Sequence, residues 1–259
     1  MKATVKTQMK SIRIDQPEWE GVNIANAQAI CVFAGKMFEK HADTAADEDI
    51  LVYKGNEPWP MARSESAPGG ERIIDVVTAG PWWRPFSYQF AHEYCHTFTK
   101  HWLLDYSHHN MWLAETLCEV AALWAIVKMG EDYKTADAPS FEGWDEIGVA
   151  FQNFVPAHTE GRQFFATPAA FAAWLTPRLP DCYKMSKPDN FELNKTAANY
   201  LLPFFLDDPL MWRVTKYINI GQKIENDFPQ YLRDWRATVP EELRGHVEKF
   251  AAIVGFPIT

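Results

Sequence analysis

His92-Glu93-Tyr94-Cys95-His96 reads His-Glu-x-x-His. On an α-helix, residues four apart share one face a turn apart, so both imidazoles can reach a single metal ion. Glu93 stands beside them, where its carboxylate can reach a water held by that ion. Two nitrogen ligands and a base are most of a zinc hydrolase site, because catalytic zinc usually takes three protein ligands and keeps a fourth position open. The spacing predicts a helix here and directs the search for a third ligand downstream.

The residues around the motif carry a helical pattern. Ser87 reads as the cap of a helix to about Trp102, with Phe90, Ala91, Tyr94, Cys95 and Phe98 on its apolar stripe. His92, Glu93 and His96 fall beside or opposite that stripe. Asn110 reads as the cap of a second helix that runs to Met129 and stops at Gly130. Its buried stripe is Leu113, Leu117, Val120, Ala121 and Trp124. Farther on, Thr167-Pro168, Asp208-Pro209 and Val239-Pro240 each place Pro where a helix would begin, and Gly221 and Gly255 close two of these patterns. Asn190 to about Leu206 reads as another helix, disturbed at Pro203.

Upstream of the motif the pattern is mixed. Ala3–Gln8 and Ser11–Ile14 read as short strands, and Asn23 as the cap of a helix to about His41. Ile50–Tyr53 and Arg72–Thr78 are β-branched, strand-like runs, ended at Gly80 and Pro81. Between them, Glu57–Gly70 is rich in Pro, Gly and Ser and reads as a loop. The expected fold class is α+β: a small N-terminal mixed sheet with a helix over residues 1–84, then a mainly helical body over 85–259 that carries the motif helix and completes one catalytic unit.

Composition narrows the partners. A net charge of −9 over 259 residues argues against nucleic acid and against an anionic membrane surface. No segment approaches the ~20 apolar residues of a membrane span. The first residues carry Lys2, Lys6, Lys10 and Arg13 without an apolar run, which does not read as a signal peptide. Cys31, Cys95, Cys118 and Cys182 show neither a CxxC nor a disulfide-framework spacing, so reduced thiols and a cytoplasmic setting are expected.

Candidates for the third ligand are His101, Asp105, His108, His109, Glu115 and Glu119. Eighteen residues separate His96 from Glu115, which lies in Trp112-Leu113-Ala114-Glu115. This combination resembles the gluzincin metallopeptidases, most of all the aminopeptidase N family, whose second helix carries WLNEGFA where this chain has Trp112-Leu113-Ala114-Glu115-Thr116-Leu117-Cys118. The resemblance covers about residues 72–129. It implies a zincin-like fold and one zinc ion held by His92, His96 and Glu115, with Glu93 as general base. It also implies a peptide or protein substrate paired in extended form with an edge strand before the motif helix. The run Ile73–Thr78 stands in that place, with Val76, Val77 and Thr78 as its substrate-side residues. Glu119 matches the carboxylate that holds a zinc-bound histidine in thermolysin-like members, so it is expected to orient His92.

The resemblance has gaps. The GxMEN amine anchor of the aminopeptidases has no counterpart, since Ser66-Ala67-Pro68-Gly69-Gly70 lacks the Glu. Their YxKGA-like segment, which supplies an oxyanion-stabilising Tyr, is echoed by Asn194-Lys195-Thr196-Ala197 with Leu193 in the Tyr place. Tyr183 and Tyr200 are the candidates to replace it. These gaps keep open a second reading, a zinc-binding module that recognises or scaffolds without efficient turnover. A third is a helical interaction protein with an accidental HExxH. Cys95 and Cys118 fall on packing stripes and read as core. His101, His108 and His109 read as decoration of a turn.

Overall fold

The structure is a computed structural model and describes residues 9–14, 19, 21–78, 82–104, 108–183, 188–225 and 227–258. The strand expected at Ala3–Gln8, the stop at Gly80 and Pro81, and Asp105 lie outside the described residues.

Strand β1 (Ile12–Ile14) is tied to β2 (Ile50–Lys54) by parallel pairing. A parallel pair needs a crossover, and α1 (Ile24–Ala42) supplies it. Asn23 caps α1 as expected, its side chain accepting from the Asn26 N–H at 3.1 Å. The helix ends where Asp43 turns left-handed, φ 47°. β3 (Met61–Ser66) and β4 (Arg72–Val76) complete one four-stranded mixed sheet in the order β1-β2-β4-β3, with β2 and β4 parallel and β3 antiparallel to β4. Ile50, Leu51, Val52, Ile73, Ile74 and Val76 of the two interior strands are all buried, which accounts for their apolar runs, broken in β4 by Asp75.

Two expectations fail here. β3 lies inside the stretch expected to be a loop. Pro58, Pro60, Pro68, Gly69 and Gly70 punctuate its two ends, and its own residues from Ser64 to Ser66 are exposed and polar, so neither composition nor alternation marks it. Its register against β4 also shifts between Ala62 and Ser66, as edge strands often do. The run ending in Val76, Val77 and Thr78 is not an edge strand. β4 pairs on both sides and stops at Val76. The N–H groups of Val77 and Thr78 both donate to Gln89 Oε1, at 3.0 and 3.1 Å.

The remaining elements are helical: α2 (Trp83–Thr99), α3 (Met111–Asp132), α4 (Trp144–Thr159), α5 (Pro168–Leu175), α6 (Leu179–Cys182), α7 (Pro188–Asp207), α8 (Trp212–Thr215), α9 (Phe228–Thr238) and α10 (Arg244–Ile253). The chain forms two compact units, Met1–Phe98 with Ala121–Glu160 and Thr99–Val120 with Gly161–Thr259. α3 contributes residues to both units.

In the first unit Phe38 of α1 packs against Tyr94, Phe98 and Trp124, at ring-centroid distances of 5.8, 5.5 and 4.9 Å. α3 passes through Gly130 rather than stopping there. A Cβ at Gly130 would lie 3.1 Å from the backbone nitrogen of Gln152 on α4, and Gln152 Nε2 donates to the Gly130 carbonyl at 2.9 Å. The glycine therefore permits a close helix–helix approach; it is not a terminator.

The second unit follows the cap-then-proline grammar in part. Thr167 caps α5, accepting from the Ala170 N–H at 3.1 Å. Asp208-Pro209 and Val239-Pro240 open single 3-10 turns ahead of α8 and α10. α7 runs through Pro203 without ending. Gly221 and Gly255 take positive φ, 70° and 81°. Trp212, Trp235, Phe205 and Phe250 are buried in its core, where Trp235 Nε1 donates to the Val214 carbonyl at 2.9 Å. The fold class is α+β with helix predominating. No helix among the described residues is long and apolar enough to cross a membrane.

Candidate metal centre

α2 carries the motif, and its bounds differ from the expected ones. It starts at Trp83, with Pro85 in its first turn where the missing N–H is harmless. Ser87 does not cap it. The side chain is fully buried inside the helix, and its hydroxyl donates to the Trp83 carbonyl at 2.7 Å, the back-bonding habit of serine within helices. The helix ends before Lys100, whose φ is 55°.

One face of α2 is anchored. Phe90, Ala91, Tyr94, Cys95 and Phe98 are fully buried. The Tyr94 hydroxyl accepts from the Ala46 N–H at 3.1 Å. Burial pushes the Tyr94 pKa well up, with the Ala46 bond opposing. With that face fixed, the histidines occupy the other side of the helix. The His92 and His96 rings stand 5.2 Å apart between centroids, one turn from each other as the four-residue spacing requires. His96 is buried and His92 half-buried. Glu93 is only 4% exposed. Its Oε2 accepts the N–H of Ala62 in β3 at 2.7 Å, within the range of charge-assisted bonds.

The carboxylates expected to complete the site lie on the first half of α3. Glu115 is half-buried and Glu119 is buried. Burial pushes the Glu119 carboxyl up to about 7, opposed by the nearby charges of Lys195 and Arg162 and reinforced by Glu192. Between them Thr116 is fully buried, and its hydroxyl donates to Asn194 Oδ1 at 3.2 Å. The α7 segment that echoes YxKGA is therefore packed on this part of α3.

Among the described residues, the side chains offered as a group able to hold one metal ion are His92, His96 and Cys118. Glu115 is not in that group. Cys118 is three residues beyond Glu115 and shares its side of α3. Reading Cys118 as a member of the apolar stripe concealed it; its place one turn from Glu115 was the signal that could have found it. The donor chemistry fits zinc with either partner, since zinc accepts imidazole nitrogen, carboxylate oxygen and thiolate sulfur.

The two tyrosines have structural surroundings. Tyr200 is buried, stacks on Phe171 at 4.2 Å, and donates its hydroxyl to the Ile253 carbonyl at 2.9 Å. Burial raises its pKa. The Tyr183 hydroxyl accepts the Phe228 N–H at 3.3 Å, and its ring stacks on His109 at 5.0 Å. Burial also raises Tyr183, with the Phe228 bond opposing. His108 Nδ1 accepts the Asn110 N–H at 3.1 Å, so the histidines of this turn have local work. Comparison with protein-family models, with curated proteins and with solved structures gives no match.

Proposed function

We propose that the protein is a zinc-dependent metallopeptidase of gluzincin type, acting on peptide or protein substrates. The observation that carries this reading is the geometry of α2: two imidazoles one turn apart, with the adjoining Glu93 carboxylate buried and held by a backbone N–H. His92, His96 and, by its spacing, Glu115 would hold one zinc ion. Zinc bound there would lower the pKa of a water to near ~7 and polarise a carbonyl. Glu93 would take the proton from that water as it attacks and pass it to the leaving amine. Glu119 would orient His92. The edge for an extended substrate is assigned to β3, which among the described residues has one neighbour in the sheet and whose Ala62 N–H is already taken by Glu93.

A second reading is a zinc-binding module of this type without efficient turnover. Two observations favour it. The hydroxyls of Tyr183 and Tyr200 are engaged with backbone groups, and Cys118 belongs to the metal-capable group. A thiolate ligand added to His92, His96 and Glu115 would fill the position that catalysis needs open. All four cysteines are buried and in no disulfide, which suits a reducing compartment such as the cytoplasm.

Metal analysis of the purified protein should give about one zinc per chain. Glu93→Gln should keep that zinc and lower hydrolysis of a peptide library by about 10²–10⁴-fold. A Glu93→Gln variant as active as wild type would sink the peptidase reading. A silent screen with zinc fully bound would favour the second.

A further inference from the structure

A buried carboxylate must find donors, because burying it without them is strongly unfavourable. Glu93 is such a group, and one of its donors is unusual in kind. The Ala62 N–H belongs to the main chain of β3, is buried with its residue at 3% exposure, and stands 2.7 Å from Oε2. A side-chain donor can swing away. A strand N–H cannot, because the sheet fixes its direction. Ala62 is opposite Ile74 of interior β4, immediately before the register shift of β3. Its neighbour Arg63 is fastened to buried Asp75 by two bonds, at 2.7 and 2.9 Å. The N–H is thus held by pairing at Ala62 itself and by an ion pair one residue on.

We propose that the Ala62 N–H is the positioning group for the Glu93 carboxylate, coupling β3 to the base of the site. This rests on the peptidase reading for its catalytic consequence, and on the hydrogen bond alone for its structural one. With Oε2 committed to the strand, proton transfer falls to Oε1, whose direction is then set by the sheet and not by rotation of the Glu93 side chain. An extended peptide that added to the outer edge of β3 would be fixed relative to the base through the same strand. Misplacement of a catalytic group by about 1 Å costs about 10²-fold in rate, and that is the scale of the contribution claimed.

Two experiments test this. In the first, amide hydrogen exchange is measured at Ala62 in the metal-free protein and in Glu93→Ala. Removing the acceptor should lower protection at Ala62 by at least about tenfold and leave Ile74 unchanged; equal protection at Ala62 in both proteins overturns the proposal. In the second, Ala62→Pro removes the N–H of this outer-edge residue of β3, and Ala62→Gly retains it. Ala62→Pro should keep zinc and lower kcat by about 10²-fold with KM within about twofold, while Ala62→Gly restores kcat to within a few-fold of wild type. Wild-type kcat in zinc-loaded Ala62→Pro overturns it. A purely structural role for the bond would lower the melting temperature of Ala62→Pro without the kcat-specific loss. Failure of the peptidase reading would show separately, as zinc-loaded wild type with no hydrolysis, and the exchange measurement still decides whether the strand holds the carboxylate.

Discussion

The α2–β3 layer of the first unit and the α5–α7–α10 cluster of the second each bury a polar side chain against one backbone group, with opposite consequences. Glu93 accepts an N–H from β3 and adjoins His92 on a helix whose His92 and His96 rings stand 5.2 Å apart. Tyr200 donates to the carbonyl of Ile253 at the end of α10, a group with no partner inside its own helix. Its ring is surrounded by Phe165, Phe171 and Phe204. Burial and a backbone bond therefore do not by themselves separate a group proposed for chemistry from a packing one. The sequence context does: two histidines at helical spacing beside Glu93, aromatic rings around Tyr200.

The largest effect should come from breaking the first region. On the proposed zinc reading, His96→Ala is expected to reduce zinc from about one per chain to near none, together with any hydrolysis, because His92 and Glu115 alone do not make a zinc site. Tyr200→Phe should leave zinc and turnover as they were. Elemental analysis and a peptide-library assay on both variants read the contrast directly. If Tyr200→Phe lost turnover and kept its stability, the two regions would have to be joined in one mechanism after all.

How much of this was legible in the residues depends on where the information sat. The cap at Asn23 and the i, i+4 histidines are local, and both were readable. Ser87 and Gly130 were misread because their usual roles, cap and stop, are also local, whereas their actual partners are a carbonyl one turn back and the backbone of α4. β3 was invisible because its stabilisation comes from β4 and from the Arg63–Asp75 pair, not from its own composition. At the site, the HExxH spacing declared itself. Cys118 did not, since a thiol on an apolar stripe looks like any small core residue. Tyr183 and Tyr200 drew attention as hydroxyls that could point at a substrate. Only the fold shows both bonded to the main chain.

Core substitutions should follow in size. Phe38→Ala removes the ring on which Tyr94, Phe98 and Trp124 converge, and should cost about 3–5 kcal/mol in denaturant unfolding. Gly130→Ala forces a methyl against the Gln152 backbone, where neither helix can yield cheaply, and should cost about 1–3 kcal/mol. A stabilising Gly130→Ala would mean that the helix propensity of alanine outweighs the contact. Tyr200→Phe should cost about 1 kcal/mol, the value of one hydrogen bond plus an orphaned carbonyl.

The smallest effect should depend on pH. Asp132, near the end of α3, holds α1 through Lys40 Nζ at 2.9 Å and His41 Nε2 at 2.6 Å. Burial alone would raise the Asp132 carboxyl, but the bonds from Lys40 and His41 outweigh it and hold the pKa below the ordinary value. The folded state therefore favours the ionised form more than the unfolded chain does, whose value is about 3.9. The stabilisation is fully present above that value and is lost as pH falls through the lower folded pKa. Asp132→Asn should cost about 1 kcal/mol at neutral pH, modest because Lys40 is 41% exposed and screened by solvent. The gap between wild type and variant should narrow below about pH 4 and close in stronger acid. A gap that stayed constant from neutral pH into that range would show that Asp132 acts through shape and not charge, and would leave the α1–α3 clamp without its electrostatic account.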